Sequence, residues 1–307
     1  MAGVFTGFGI IAFVIFIGWL LSALGIVSQE GRLVLNRVAF FAASPALLFL
    51  VLSRADLHVV FSGVLLASAA TIAIAAVLYW AIARLLFTKD PGRLVIGTSA
   101  SVYANINNIG LPVAIYVIGD AQYVGPMLIL QLVVMAPIVL GALDLLQPGR
   151  KSIARILLQP VRNPIVIASA LGVVVAATGL QLPEFVEAPL EILGGAAIPL
   201  MLLAFGVSLR GTRPLERGTG RREVLAASAL KAIVMPAIAW VLATFVFGLE
   251  PVHVYAVTVM AALPTAQNMY QYALRYNTGE IIARDVIFVT TLASIPVMLV
   301  IAWLVHP

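Results

Sequence analysis

Apolar residues run along this chain in blocks long enough to cross a bilayer, and the short stretches between them hold nearly all the charge. A helical span needs about 20 apolar residues. The pattern predicts ten, at 4–27, 33–53, 57–87, 94–118, 123–145, 164–180, 188–209, 223–248, 252–275 and 281–304. The connections carry turn residues: Asp90-Pro91-Gly92, Gln147-Pro148-Gly149 and Arg213-Pro214. None is long enough to fold as a soluble domain. The first block has no Lys or Arg before Arg32, so it lacks the basic start of a signal peptide and reads as the first span.

Two blocks break the apolar pattern. Residues 101–119 hold Asn105, Asn107, Asn108, Gly110 and Pro112, and residues 262–277 hold Pro264, Gln267 and Asn268. Hydrocarbon offers no partner to a loose amide or a bare carboxamide, so a helix broken there must line a cavity or lie within protein. Proline disfavours helix in the residue before it and suits the first turn of a new one. Pro112 and Pro264 are thus placed to start two half-helices. If spans 4 and 9 cross at their breaks, two helix N-termini face one point, each with exposed N–H groups and about half a positive charge. That is an anion site without a cationic side chain. Carboxamides also hold membrane helices together, at about 0.6 kcal/mol per bond. The doubling of the pattern beside prolines in both halves favours a binding site at the bilayer midplane. Tyr103, Gln131, Tyr270 and Gln271 are candidates to line the path to it.

Composition fits this reading. The chain is 62% hydrophobic and 10% charged, whereas soluble domains are about half apolar and a quarter charged. The net charge of +5 does not point to nucleic acid, because the basic residues sit in loops between spans. Sixteen of the 18 Lys and Arg flank the odd-numbered connections, which places those loops in the cytoplasm and both termini outside. The other two are Arg54, in an even-numbered connection, and Lys231, inside span 8. Lys231 either faces the bundle interior, as a counter-ion on a pathway, or snorkels to the headgroups.

The halves also repeat. Pro45 begins PALLFLVLSR, Pro199 begins PLMLLAFGVSLR, and 199 − 45 = 154. Pro112 and Pro264 differ by 264 − 112 = 152. Five spans per half is an odd number, so the second half, 163–307, enters the membrane inverted relative to the first, 1–147. The absence of cysteine removes disulfides and thiolate metal sites, and His58, His253 and His306 are far apart. No metal or cofactor is expected. No carboxylate lies mid-span, which leaves the coupling ion, proton or sodium, open. The chain has no HExxH and no intramembrane Asp pair, so an intramembrane enzyme is not expected.

At these residues the sequence resembles the auxin efflux carrier family. Asn105-Ile-Asn-Asn-Ile-Gly110-Leu-Pro112 is similar to its fourth-helix signature, and Pro264 with Ala273-Leu-Arg-Tyr276-Asn277 to its ninth; Lys231 and Pro236 in span 8 also fit. The resemblance implies an all-α polytopic fold: ten transmembrane helices as two inverted five-helix repeats, with helices 4 and 9 broken and crossing. Spans 1, 2, 6 and 7 would form a scaffold and spans 3–5 and 8–10 a transport domain, working as an elevator in a homodimer. Asn105 would hold the substrate carboxylate. The short loop 146–163 and the pair Gln267-Asn268 depart from the plant branch and point away from auxin. The expectation is a carrier of small organic anions, mono- or dicarboxylates, in a bacterial inner membrane. The alternative is a sodium-coupled symporter of larger amphipathic acids, of the related bile acid type.

Overall fold

The computed structural model describes residues 2–55, 63–147, 163–210, 215 and 220–305. His58, His306, Pro148, Pro214 and the loop cations Arg150, Lys151, Arg155, Arg162, Arg213 and Arg217 lie outside the described residues. The helices, in chain order, are α1 (Ala2–Ala23), α2 (Gln29–Ser53), α3 (Gly63–Leu86), α4 (Pro91–Val102), α5 (106–118), α6 (Ala121–Leu145), α7 (Pro164–Thr178), α8 (Glu184–Ser208), α9 (Arg221–Val246), α10 (Pro251–Ala261), α11 (Asn268–Tyr276) and α12 (Glu280–Val305). Six of them, α2, α3, α6, α8, α9 and α12, are long and apolar enough to cross a membrane. The expected spans 4–27, 94–118, 164–180 and 252–275 fall on α1, α4 with α5, α7, and α10 with α11, whose apolar segments are Gly9–Ala23, Asn108–Ile118, Pro164–Thr178 and Pro251–Ala261.

Local chemistry sets the starts. The Asp90 carboxylate accepts the Arg93 N–H at 2.9 Å and Asn163 accepts the Ile165 N–H at 2.9 Å, each just before a proline at the first helical position. Ser28 accepts the Gly31 N–H at 3.1 Å. α2 therefore starts at Gln29, earlier than hydropathy suggested, because its first turns are polar.

Inside the long helices, wide turns of five or six residues precede prolines. Ala39–Ala43, Ile106–Gly110, Leu130–Met135 and Leu230–Val234 each end two residues before Pro45, Pro112, Pro137 and Pro236. Proline lacks the donor for the turn before it and its ring crowds the carbonyl there. A widened turn relieves both while the helix continues.

Close packing depends on small residues. α1 lies along the second half of α8, and α7 along the second half of α2. A Cβ on Gly18 would stand 2.3 Å from the Leu203 carbonyl oxygen, one on Gly206 2.0 Å from that of Ile15, and one on Gly172 2.6 Å from that of Phe49. Only a bare Cα fits such crossings. A second group of helices packs together: α3 on α4 and α9, α9 on α10, and α12 on α4, α10 and α11. Two carboxylates near helix starts are buried in that group. Glu223 pairs with Arg93 at 2.9 Å, and Asp285 with Arg284 at 2.8 Å.

Candidate functional site

α4 ends at Val102 and α10 at Ala261, and the strands of chain that follow cross. Ala104 and Thr265 pair antiparallel. The Asn105 N–H donates to the Pro264 carbonyl at 2.7 Å, and the Ala266 N–H to the Tyr103 carbonyl at 2.9 Å. Each break thus supplies backbone partners that the other lost, which is what apolar surroundings demand.

Side chains complete the junction. The Gln131 amide donates to the Ala104 carbonyl at 2.8 Å, and the Tyr103 hydroxyl donates to the Gln131 carbonyl at 3.1 Å. Both residues are buried behind the break. The Thr265 hydroxyl donates to the Ala100 carbonyl at 2.6 Å, and the Thr265 N–H donates to the Thr290 hydroxyl at 3.0 Å. The two threonines were not sequence candidates. Thr265 adjoins Pro264 and was within reach of the same argument. Thr290 was not, because a helical threonine usually bonds back to its own turn, as this one also does to Val286.

Past the bridge, the helices resume at Ile106 and Asn268 rather than at the prolines. Asn105 is the reason in α5: its carboxamide oxygen caps the helix by accepting the Asn108 N–H at 3.3 Å, before Pro112 is reached. Pro264 gives its carbonyl to the bridge instead of opening α11. The Asn105 side chain is 3% exposed, and its amide Nδ2 has no hydrogen-bond partner among the described residues. Gly110 and Pro112 are buried beside it, and the absence of a Cβ on Gly110 lets α5 lie against Leu263. Asn108 is half-buried, and the side chain of Asn107 lies outside the described ones.

Lys231 does not reach for the surface. It is 0% exposed, and its ammonium donates to the Ala261 carbonyl at 2.6 Å and contacts the Met235 sulfur at 3.6 Å. Ala261 is the last residue of α10. A cation therefore sits on the negative end of the half-helix that leads into the crossing.

Cavities open toward both ends of α2. At its arginine-rich start a cavity of about 480 Å³ is bounded by α2, the end of α8, α11 and α12, with Gln267, Tyr270 and Gln271 in its wall. The Gln267 amide donates across it to the Ser208 hydroxyl at 3.3 Å. Asn268 is exposed at the start of α11. At the far end of α2 a cavity of about 580 Å³ is walled by Arg54, Asp120, Gln122 and Glu191. There Arg54 pairs with Glu191 at 2.9 Å and Glu187 at 3.0 Å, and these carboxylates hold the guanidinium above its ordinary value. An apolar hollow of about 680 Å³ between α9 and α12 holds no charged group. Among the described residues no cluster of His, Asp or Glu is suited to a metal ion.

A family model described as a membrane transport protein matches residues 4–155 and 149–302, nearly the whole chain. The chain belongs to this membrane transport family, the auxin efflux carrier family. Relatives of this carrier family align over most of their length. A Rhizobium meliloti protein named "Putative malonate transporter" is 25% identical over 288 residues, covering 92% of this chain and 89% of its own. An uncharacterized transporter of Methanocaldococcus jannaschii is 23% identical over 304 residues, 96% of each chain. Another, of Methanothermobacter thermautotrophicus, is 27% identical over 286 residues, 92% of this chain and 91% of its own. The family and these relatives are transporters, not enzymes, and the apolar helices embed this member in a membrane.

Proposed function

We propose that this family member carries small organic anions, short mono- and dicarboxylates, by alternating access around the crossing of α4–α5 with α10–α11. The observation that carries the reading is the Asn105 amide: a buried donor without a partner among the described residues, at the capped start of a half-helix. A buried unpaired donor costs about 1–3 kcal/mol, and a carboxylate seated there relieves it. The dipole of α5 adds to the attraction. Gly110 and Pro112 shape that start, while Asn107, Asn108, Pro264, Gln267 and Asn268 surround it along the chain. Lys231, its Nζ bonded to the Ala261 carbonyl, lies behind it. The malonate named for the Rhizobium relative belongs to the same chemical class.

The packing of α1 on α8 and of α7 on α2 supports a division into moving parts. α1, α2, α7 and α8 form the scaffold, and the other helices form the transport domain, which slides as an elevator. The inverted repeat is supported by helix contacts as well as prolines. Gly172 meets Phe49 as Gly18 meets Leu203, and 172 − 18 = 203 − 49 = 154. In this reading the termini are periplasmic, the membrane is a bacterial inner membrane, and the scaffold carries a homodimer contact. The test is uptake of labelled malonate into proteoliposomes. Wild-type uptake with none in Asn105→Ala, at equal insertion, supports the reading. Equal uptake by both proteins removes Asn105 from the site and leaves the proposal without its mechanism.

A further inference from the structure

We infer that the cavity between the start of α2, the end of α8 and α12 is a second anion site, built for a small dianion such as a short dicarboxylate. The inference rests on the carrier reading only in taking organic anions as the solutes present. Its own support is a separate set of residues.

Arg32, Arg210 and Arg284 all line this cavity, and among the described residues no acidic one does. Asp285, wholly buried, holds Arg284 through Nε at 2.8 Å and so offsets one charge. An Arg210 guanidinium nitrogen donates to the Ser22 carbonyl, which orients that group without neutralising it. Two positive charges in the wall are left without a counter-charge among the described residues. The cavity also contains unused hydrogen-bonding groups. The Arg32 Nε is enclosed with no partner among the described residues, and so is the Thr291 hydroxyl, on a residue only 7% exposed. Buried polar atoms without partners are few in folded proteins and call for an explanation.

A dianion answers both observations. Guanidinium groups take carboxylates through paired N–H···O bonds, so one carboxylate can sit on Arg32 and the other on Arg210, with the Thr291 hydroxyl donating to the first. About 480 Å³ is ample for three or four carbons and the waters around them. A monocarboxylate leaves one guanidinium unmatched, so the cavity discriminates by charge. Gln267 in the same wall places the site on the route between this end of the bundle and the crossing. Low-dielectric walls lined by one sign of charge also raise the local concentration of anions.

The experiment is calorimetric titration of the purified full chain with malonate and with propionate, which has the same carbon count and one carboxylate. Malonate is expected to bind at least tenfold more tightly. Arg32→Gln should weaken malonate tenfold or more and propionate less than threefold, Arg32→Lys should fall between, and Thr291→Val should cost malonate about threefold. Melting temperature reports folding of each variant, and Thr291→Val removes a group without altering charge. Asn105→Asp separates the two sites. If it leaves malonate binding intact while Arg32→Gln removes it, the dianion site stands and the crossover reading fails. If Arg32→Gln and Thr291→Val both leave the malonate-to-propionate ratio unchanged, the dianion site is overturned, whatever Asn105→Asp does. It is equally overturned if wild type binds propionate as tightly as malonate.

Discussion

A single amide nitrogen distinguishes the two roles open to Asn105. Its oxygen is committed to the Asn108 N–H, and its Nδ2 is free of partners among the described residues. Asn105→Asp keeps the capping oxygen and turns the free donor into a negative oxygen. A carboxylate at an exposed helix start gains about 0.3–1 kcal/mol, but at this 3% exposed position its desolvation costs more, so the melting temperature should fall modestly while malonate uptake disappears. Uptake at half the wild-type rate or more would make the residue a cap and nothing else. Lys231 invites a second substitution. Its ammonium is buried on one carbonyl and a thioether. Losing a charge-assisted bond costs about 1.5–3 kcal/mol, but removing a buried charge regains its desolvation, and apolar replacements of buried charges are often neutral. Lys231→Met should therefore melt within a few degrees of wild type while uptake falls at least tenfold; a folded variant with full uptake would make the charge dispensable. The sequence exposed Asn105 and Lys231 because polar groups stand out in apolar spans. It could not expose Arg32, which reads as one more loop cation until α8 and α12 close over it, nor Thr290, whose hydroxyl bonds its own helix as well as the crossing.

Along each helix, the prolines were visible in the chain but their consequence was not. Pro112 reads as a helix start, whereas the structure widens the turn before it, as it does before Pro45, Pro137 and Pro236, and keeps the helix going. Backbone geometry around a missing N–H has several solutions, and packing chooses among them. Glycines were less legible still, since a close crossing exists only once both partners are placed. Gly206 shows the strength of this constraint. A methyl there would meet the Ile15 carbonyl oxygen at 2.0 Å and the Trp19 nitrogen at 2.8 Å, and both are backbone atoms that cannot swing aside. Gly206→Ala should push α1 from α8 and destabilise the chain by about 1–3 kcal/mol or more, as overpacking does. Gly9 in the same α1 has nothing within 4 Å of its would-be Cβ. Gly9→Ala should be neutral or stabilising by up to about 1 kcal/mol from helix propensity. Thermal melting of the two variants side by side checks the claim; equal shifts would mean that the α1–α8 crossing yields easily.

At the scale of the molecule, an elevator requires that the scaffold and the transport domain slide past each other, so a tether between them must stop uptake. Among the described residues, the Gln267 amide spans that proposed boundary to the Ser208 hydroxyl at 3.3 Å. A bond of that length between neutral groups is worth about 0.5–1.5 kcal/mol, weak enough to break in every cycle. A covalent link is not. The chain has no cysteine, so Gln267→Cys with Ser208→Cys gives one defined pair, and a short bifunctional thiol reagent replaces the reach of the lost glutamine side chain. The double variant should take up malonate before treatment, lose at least nine-tenths of that uptake once linked, and recover it when a reducible linker is cleaved. Each single variant treated in the same way should keep its activity, which separates tethering from simple blockage of the cavity by the reagent. A linked protein that still transports at the wild-type rate would mean that α11 and α8 keep their distance throughout the cycle. The boundary of motion would then have to be drawn elsewhere, within the group that contains α11 rather than along its edge.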